Sequence, residues 1–171
     1  MTDTTARPSA DARADANADT DTDVATLVRR LADRAAIVDL GIAHAAAIDE
    51  RDWNRLRSCY TADASADFEG IGPLATYADI ERACRTAIEP LSASQHLVTN
   101  ADVAIDPDGN TADVRSSFHA QHVQAGTPGG DQFVVAGTYR DRVVRTPDGW
   151  RISRRDLTVL WTTGNPEVLQ T

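Results

Sequence analysis

An α+β fold is predicted by three features of the sequence. Apolar residues recur at helical spacing through the first half of the chain. After Leu91 the sequence changes to long strand-like runs separated by Gly, Pro and Asp turn signals. The length, 171 residues, is enough for one hydrophobic core that needs no disulfide staple. Helices first and hairpin-linked strands afterwards predict a cone-shaped, curved antiparallel sheet wrapped around the N-terminal helices, with a pocket between them.

The elements follow in order. Residues 1–22 are rich in Ala, Asp and Thr and hold no large aliphatic residue after Met1. Such a stretch cannot offset the entropy of ordering, so it is expected to be a disordered acidic tail ahead of a single domain over 23–171. Val24, Leu27, Val28 and Leu31 then follow the i, i+3, i+4, i+7 pattern of a helix. Ile37, Leu40, Gly41, His44 and Ile48 continue its stripe. Asp52 is placed to cap a short helix carrying Trp53, Leu56 and Tyr60. Residues 62–68 read as a short strand. Thr76 caps a third helix with Tyr77, Ile80, Cys84 and Ile88 facing inward. Strands are expected over 94–105, 111–124, 131–146 and 150–163. Their turns are Asp106–Asn110, Gly126–Gly130 and Thr146–Gly149.

Composition removes several functions. The net charge is -9, which argues against nucleic acid, whose phosphates need a basic face. The sequence contains no lysine, so a Schiff-base lysine and a Walker-type phosphate loop are excluded. No apolar run approaches the roughly 18 residues that span a bilayer. The N-terminus has no apolar h-region, so a cytoplasmic location without membrane contact is expected. Cys59 and Cys84 form no disulfide framework and are expected as reduced, buried thiols.

No metal or cofactor motif stands out. His119 and His122 are three apart in a predicted strand, so they point to opposite faces. His122 shares its face with Val114, Phe118 and Ala120 and is expected toward the core. His119 is expected toward solvent or a subunit contact. Asp49 ends the first long helix, where the macrodipole disfavours an acid. His44 lies one turn earlier on the apolar stripe, and His96 opens the first long strand. A carboxylate that fixes one imidazole tautomer makes the other ring nitrogen a usable base near neutral pH.

These residues carry a resemblance. The stretch Ala47-Ile-Asp49-Glu-Arg-Asp52-Trp53, followed by Ala66-Asp-Phe68, Gln95-His96 and Asp148-Gly-Trp150, resembles the SnoaL-like branch of the nuclear-transport-factor-two-like, cystatin-like superfamily. That branch includes scytalone dehydratase, bile-acid dehydratase and polyketide cyclases. The resemblance implies an Asp–His dyad at Asp49 and His96, a second histidine at His122, and no metal or organic cofactor. It places pocket residues at Thr138 and Arg140. Ile48 and Phe68 stand where scytalone dehydratase has tyrosines, and neither can donate a hydrogen bond. His44 stands where the bile-acid enzyme has one.

The expected function is a cofactor-independent lyase, dehydratase-like, acting on a small apolar cyclic or aromatic hydroxylated substrate. Asp49, His96 and His122 are the expected catalytic groups. His44, Ile48, Phe68, Phe118, Thr138 and Arg140 are expected at the substrate. The alternatives are a steroid- or polyketide-type isomerase or cyclase, and a non-catalytic binding or structural module. A homodimer or homotrimer is expected, with Val123, Val134, Val144 and Trp161 at the contact.

Overall fold

The computed structural model describes residues 10–170, with side chains from residue 23 onward. Its contacts divide the chain into two units, residues 1–35 and 36–171. Residues 1–9 of the expected tail lie outside the described residues.

Helix α1 spans Ala10–Glu50 and therefore starts ahead of Val24. Alanine, the strongest helix former, recurs through its first turns, so propensity extends the helix beyond the apolar stripe. In the first unit Val24, Leu27, Val28 and Leu31 are all exposed, so helical spacing there does not report a core face.

The second unit holds the core. Ile37, Leu40, Ala47 and Ile48 of α1 are buried in it. The remaining elements are α2 (Trp53–Ser58), β1 (Tyr60–Phe68), β2 (Gly72–Leu74), α3 (Tyr77–Ile88), β3 (Ala93–Ile105), β4 (Thr111–Val123), β5 (Gln132–Thr146), β6 (Gly149–Gly164) and a 3-10 turn, Pro166–Leu169. Asp52 caps α2, accepting from the Arg55 N–H. Thr76 and Asp79 form a capping box at α3, whose inward residues are Tyr77, Ile80, Cys84 and Ile88. Both cysteines are buried and free.

The six strands form one sheet in the order β2-β1-β6-β5-β4-β3. It is not wholly antiparallel, because β1 pairs with β6 in parallel after a crossover through the rest of the sheet. The short β2 and the C-terminal 3-10 turn have no period of their own in the sequence. Gly137 is required by close packing: a Cβ there would lie 2.0 Å from the Thr158 carbonyl oxygen and 2.8 Å from Phe118 Cε1. Its absence lets Phe118 stack on Tyr139 with ring centroids 4.6 Å apart.

The end of α1 is anchored firmly. Arg51 adopts a left-handed φ of 55° and its N–H bonds the Ile48 carbonyl at 3.1 Å, while the Asp52 N–H reaches the Ala47 carbonyl at 2.9 Å. This is a Schellman-type stop with arginine in place of the usual glycine. The Arg51 guanidinium donates to the Ile88 and Leu91 carbonyls at 3.2 and 2.7 Å, tying the end of α1 to the end of α3. Asp49 sits just before this stop.

Candidate functional site

Asp49 meets the start of β3. Its carboxylate accepts from the His96 backbone N–H at 2.7 Å, from His96 Nδ1 at 2.7 Å and from the Ser94 hydroxyl at 2.9 Å. Burial alone would raise this carboxyl's pKa, but the bonds from His96 and Ser94 outweigh it and hold it below the ordinary value. Charge-assisted bonds of this length fix the ring: Nδ1 is the donor, so whenever the ring is neutral Nε2 carries the lone pair. The side chains of His96 and Asp49 are only 9% and 21% exposed.

His96 lines a cavity of about 120 Å³. Its walls are mostly apolar: Ile48 from α1, Phe68 from β1, Ala83, Ala87 and Ile88 from α3, and Leu157 from β6. The polar lining comes from His44, His96, His122, Tyr139 and Arg155. Ser94 pairs with His122 and His96 with Ala120 across β3 and β4, which sets the two rings diagonally. They meet edge to face, centroids 5.7 Å apart. His122 Nδ1 lies 3.3 Å from the Phe133 carbonyl. Burial, with the neighbouring His96 charge, pulls the His122 pKa down to about 4.

A second polar group stands at the cavity. Arg155 and Asp141 face each other across β5 and β6, and Nε and Nη2 of the guanidinium each donate to the carboxylate at 2.7 Å. Their side chains are 1% and 7% exposed. The guanidinium carbon lies 4.1 Å from the Tyr139 ring centroid. Burial opposes the Arg155 charge, but Asp141 more than compensates. The remaining nitrogen, Nη1, lies 2.9 Å from both ring nitrogens of His44. His44 Nε2 is also 2.9 Å from the Tyr60 hydroxyl. Burial and then the Arg155 charge push the His44 pKa well below its ordinary value.

The structure therefore brings Asp49, His96, His122, His44, Ile48 and Phe68 to one place. Three expected substrate residues are elsewhere. Thr138 and Arg140 stand on the other face of β5, and Tyr139 between them takes the inward position. Phe118 stacks behind Tyr139 instead of lining the cavity. With their lowered pKa values His44 and His122 are neutral near pH 7, each ring then offering one donor and one acceptor nitrogen. Two tyrosines stand nearby: Tyr139 lines the cavity, and the Tyr60 hydroxyl lies behind it on His44.

Arg155 and Asp141 escaped the sequence reading for a physical reason. Strict alternation from Trp150 and Ile152 turns Arg154 inward. A register shift between Arg142 and Val143 of β5, opposite Arg154 and Ile152 of β6, reverses the parity and turns Arg155 inward. No residue pattern announces that bulge.

Comparison with known proteins gives the chain a family and fold neighbours. A SnoaL-like domain matches residues 29–156. An uncharacterized protein of Mycobacterium tuberculosis is 33% identical over 130 residues, covering 75% of this chain and 86% of its own length. Among solved structures, the Kfla4162 protein of Kribbella flavida superposes with a TM-score of 0.75 at 30% identity, over 83% of this chain and 99% of that one. A proposed aromatic ring hydroxylase of Novosphingobium aromaticivorans gives 0.72 at 29%, over 81% and 97%. Two further structures share the fold at lower identity. A proposed scytalone dehydratase of Novosphingobium aromaticivorans gives 0.74 at 18% identity, over 81% and 91%. A hexachlorocyclohexane dehydrochlorinase of Novosphingobium barchaimii gives 0.70 at 21%, over 81% and 94%.

Proposed function

We propose a function from one premise: the chain belongs to the SnoaL-like family. It acts as a lyase in which the Asp49–His96 pair removes a carbon-bound proton from a small apolar cyclic substrate, without a cofactor. The observation that carries this reading is the 2.7 Å contact that fixes His96 Nδ1 on Asp49 while the ring borders an apolar cavity. At about 120 Å³ the mostly apolar cavity is somewhat smaller than the roughly 150 Å³ that holds benzene, so it limits the substrate to one small ring at most.

The step balances within the site. His96 Nε2 takes the proton, and the C–H electron pair becomes the new π bond. The group on the adjacent carbon departs with its own bonding pair. If that group is hydroxide, His96 is the ring that has just been charged, and it returns the proton to complete water. His122 and Tyr139 orient the substrate oxygen.

A second reading is favoured by Arg155. Arg155 borders the cavity with Nε and Nη2 held by Asp141 and Nη1 against His44, so it would steady a leaving group that departs as an anion, without any proton, by exchanging its His44 contact for that group. Loss of a halide fits that arrangement, and the fold neighbours include a dehydrochlorinase as well as a proposed dehydratase.

The test is mass spectrometry on a panel of cyclic β-hydroxy ketones and halogenated rings. The expected product has lost water or hydrogen halide; a product of unchanged mass would instead mark an isomerase. His96→Ala should abolish turnover with the fold intact by circular dichroism. Full activity in that variant rules out the mechanism.

A further inference from the structure

One residue around the cavity breaks the pattern of the rest. Ile71, in the turn between β1 and β2, lines the same space as Phe68 and Ile88, yet it is 59% exposed. The other apolar side chains of the wall are buried or half-buried. Glycines stand on both sides of it, Gly70 at φ 88° and Gly72 at φ 95°. A Cβ on either would meet nothing within 4 Å, so neither glycine serves close packing, in contrast to Gly137. The Ile71 N–H donates to the Phe68 carbonyl at 2.8 Å, and a left-handed Gly70 suits the third position of that turn. Gly72 lies beyond the turn and adds a second position of wide backbone freedom.

The turn is held at its ends and loose between them. Glu69 is tied to β6: its N–H donates to the Leu157 carbonyl at 3.0 Å, and its carboxylate accepts from the Val159 N–H at 2.9 Å. Leu74 is buried on the far side. Between these anchors β2 is a short edge strand paired only with β1, and Pro73 at its centre has no N–H to contribute.

We infer that Ile71 is a substrate-covering residue: the Gly70–Gly72 turn swings its side chain onto a ring bound in the cavity. The inference rests on the proposed reading that a small ring occupies that space. An exposed isoleucine alone is ordinary at a protein surface; its place on the cavity wall between two glycines singles Ile71 out. Its side chain gains by leaving water, and a bound ring supplies the apolar surface to cover. The glycines let the backbone take up the change in φ and ψ. Closure also shields His96 from water while the proton moves.

Methyl NMR of the full chain, isotope-labelled at the isoleucine δ1 carbons, tests this with benzene as a non-reacting probe. Signals are assigned by single isoleucine-to-valine substitutions. Ring currents at Ile48 and Ile88 report entry of benzene into the cavity. A soluble gadolinium chelate broadens the methyls that solvent reaches, and so reports closure at Ile71. Both Ile71 and Ile42, exposed on α1, should be broadened in the free protein. With benzene bound, Ile71 is expected to be protected and Ile42 to stay broadened. Ile71→Ala should weaken benzene binding about tenfold, with Tm close to wild type because the side chain is exposed in the free protein. Shifts at Ile48 and Ile88 without protection of Ile71, or unchanged affinity in Ile71→Ala, overturn the covering role and leave the ring-binding cavity standing. No shift at Ile48 or Ile88 overturns both.

Discussion

At the residue scale the central object is the Asp49 carboxylate. Three donors converge on it, two of them from His96 itself, so it fixes both the backbone and the ring of the same residue. Asp49→Asn keeps the shape but removes the anion that selects the Nδ1–H tautomer. The expected result is a loss of kcat by about 10²–10⁴-fold with little change in Tm. Retention of kcat would show that orientation alone suffices. The pairing of Asp49 with His96 was legible only through the family resemblance; position alone marked an acid at a helix C-terminus and a histidine opening a strand, without joining them. The remainder of the site was less legible. Arg155 depends on which face β6 turns inward, and one extra residue in that strand reverses the face without altering composition, whereas Tyr139 follows the regular alternation of β5. Thr138 and Arg140 were assigned one position away from Tyr139, the residue that does face the cavity.

At the element scale, helix and strand order was legible except for the short β2 and the C-terminal 3-10 turn. The periodicity is strong, and Asp52 and Thr76 announce the starts of α2 and α3. Pairing was not legible. Nothing in Tyr60–Phe68 states that it will lie parallel to β6, because that choice depends on contacts distant in sequence. Close approach between strands was equally hidden. Gly137 looks like an ordinary strand glycine, yet a methyl group there meets the Thr158 carbonyl and the Phe118 ring. Gly137→Ala is therefore expected to destabilise the fold by about 2–3 kcal/mol, from overpacking against backbone that cannot yield. Urea unfolding measures it; a change below about 0.5 kcal/mol would mean that β5 and β6 separate easily at this point.

At the scale of the whole molecule, buried histidines link stability to pH. The His122 pKa falls from its ordinary 6.5 to about 4 in the folded chain, and His44 shifts in the same direction. Between those values the unfolded chain binds protons that the folded chain refuses. The stability these groups allow is fully present above about pH 6.5 and is lost as the pH falls toward 4. For His122 alone the loss amounts to at most about 3 kcal/mol. Urea midpoints at pH 7 and pH 4.5 should differ accordingly, and His122→Gln should narrow the difference. An unchanged difference would place the acid sensitivity elsewhere. The construction of the cavity has a consequence for how such a protein changes over generations. The sheet side is committed: the Asp141–Arg155 pair and the Gly137 crossing admit little variation. The opposite wall is one turn of α3 carrying Ala83 and Ala87, where a larger or smaller side chain changes only empty space. Divergence in what the cavity accepts can therefore accumulate along a single helix, while the machinery that moves the proton is inherited intact.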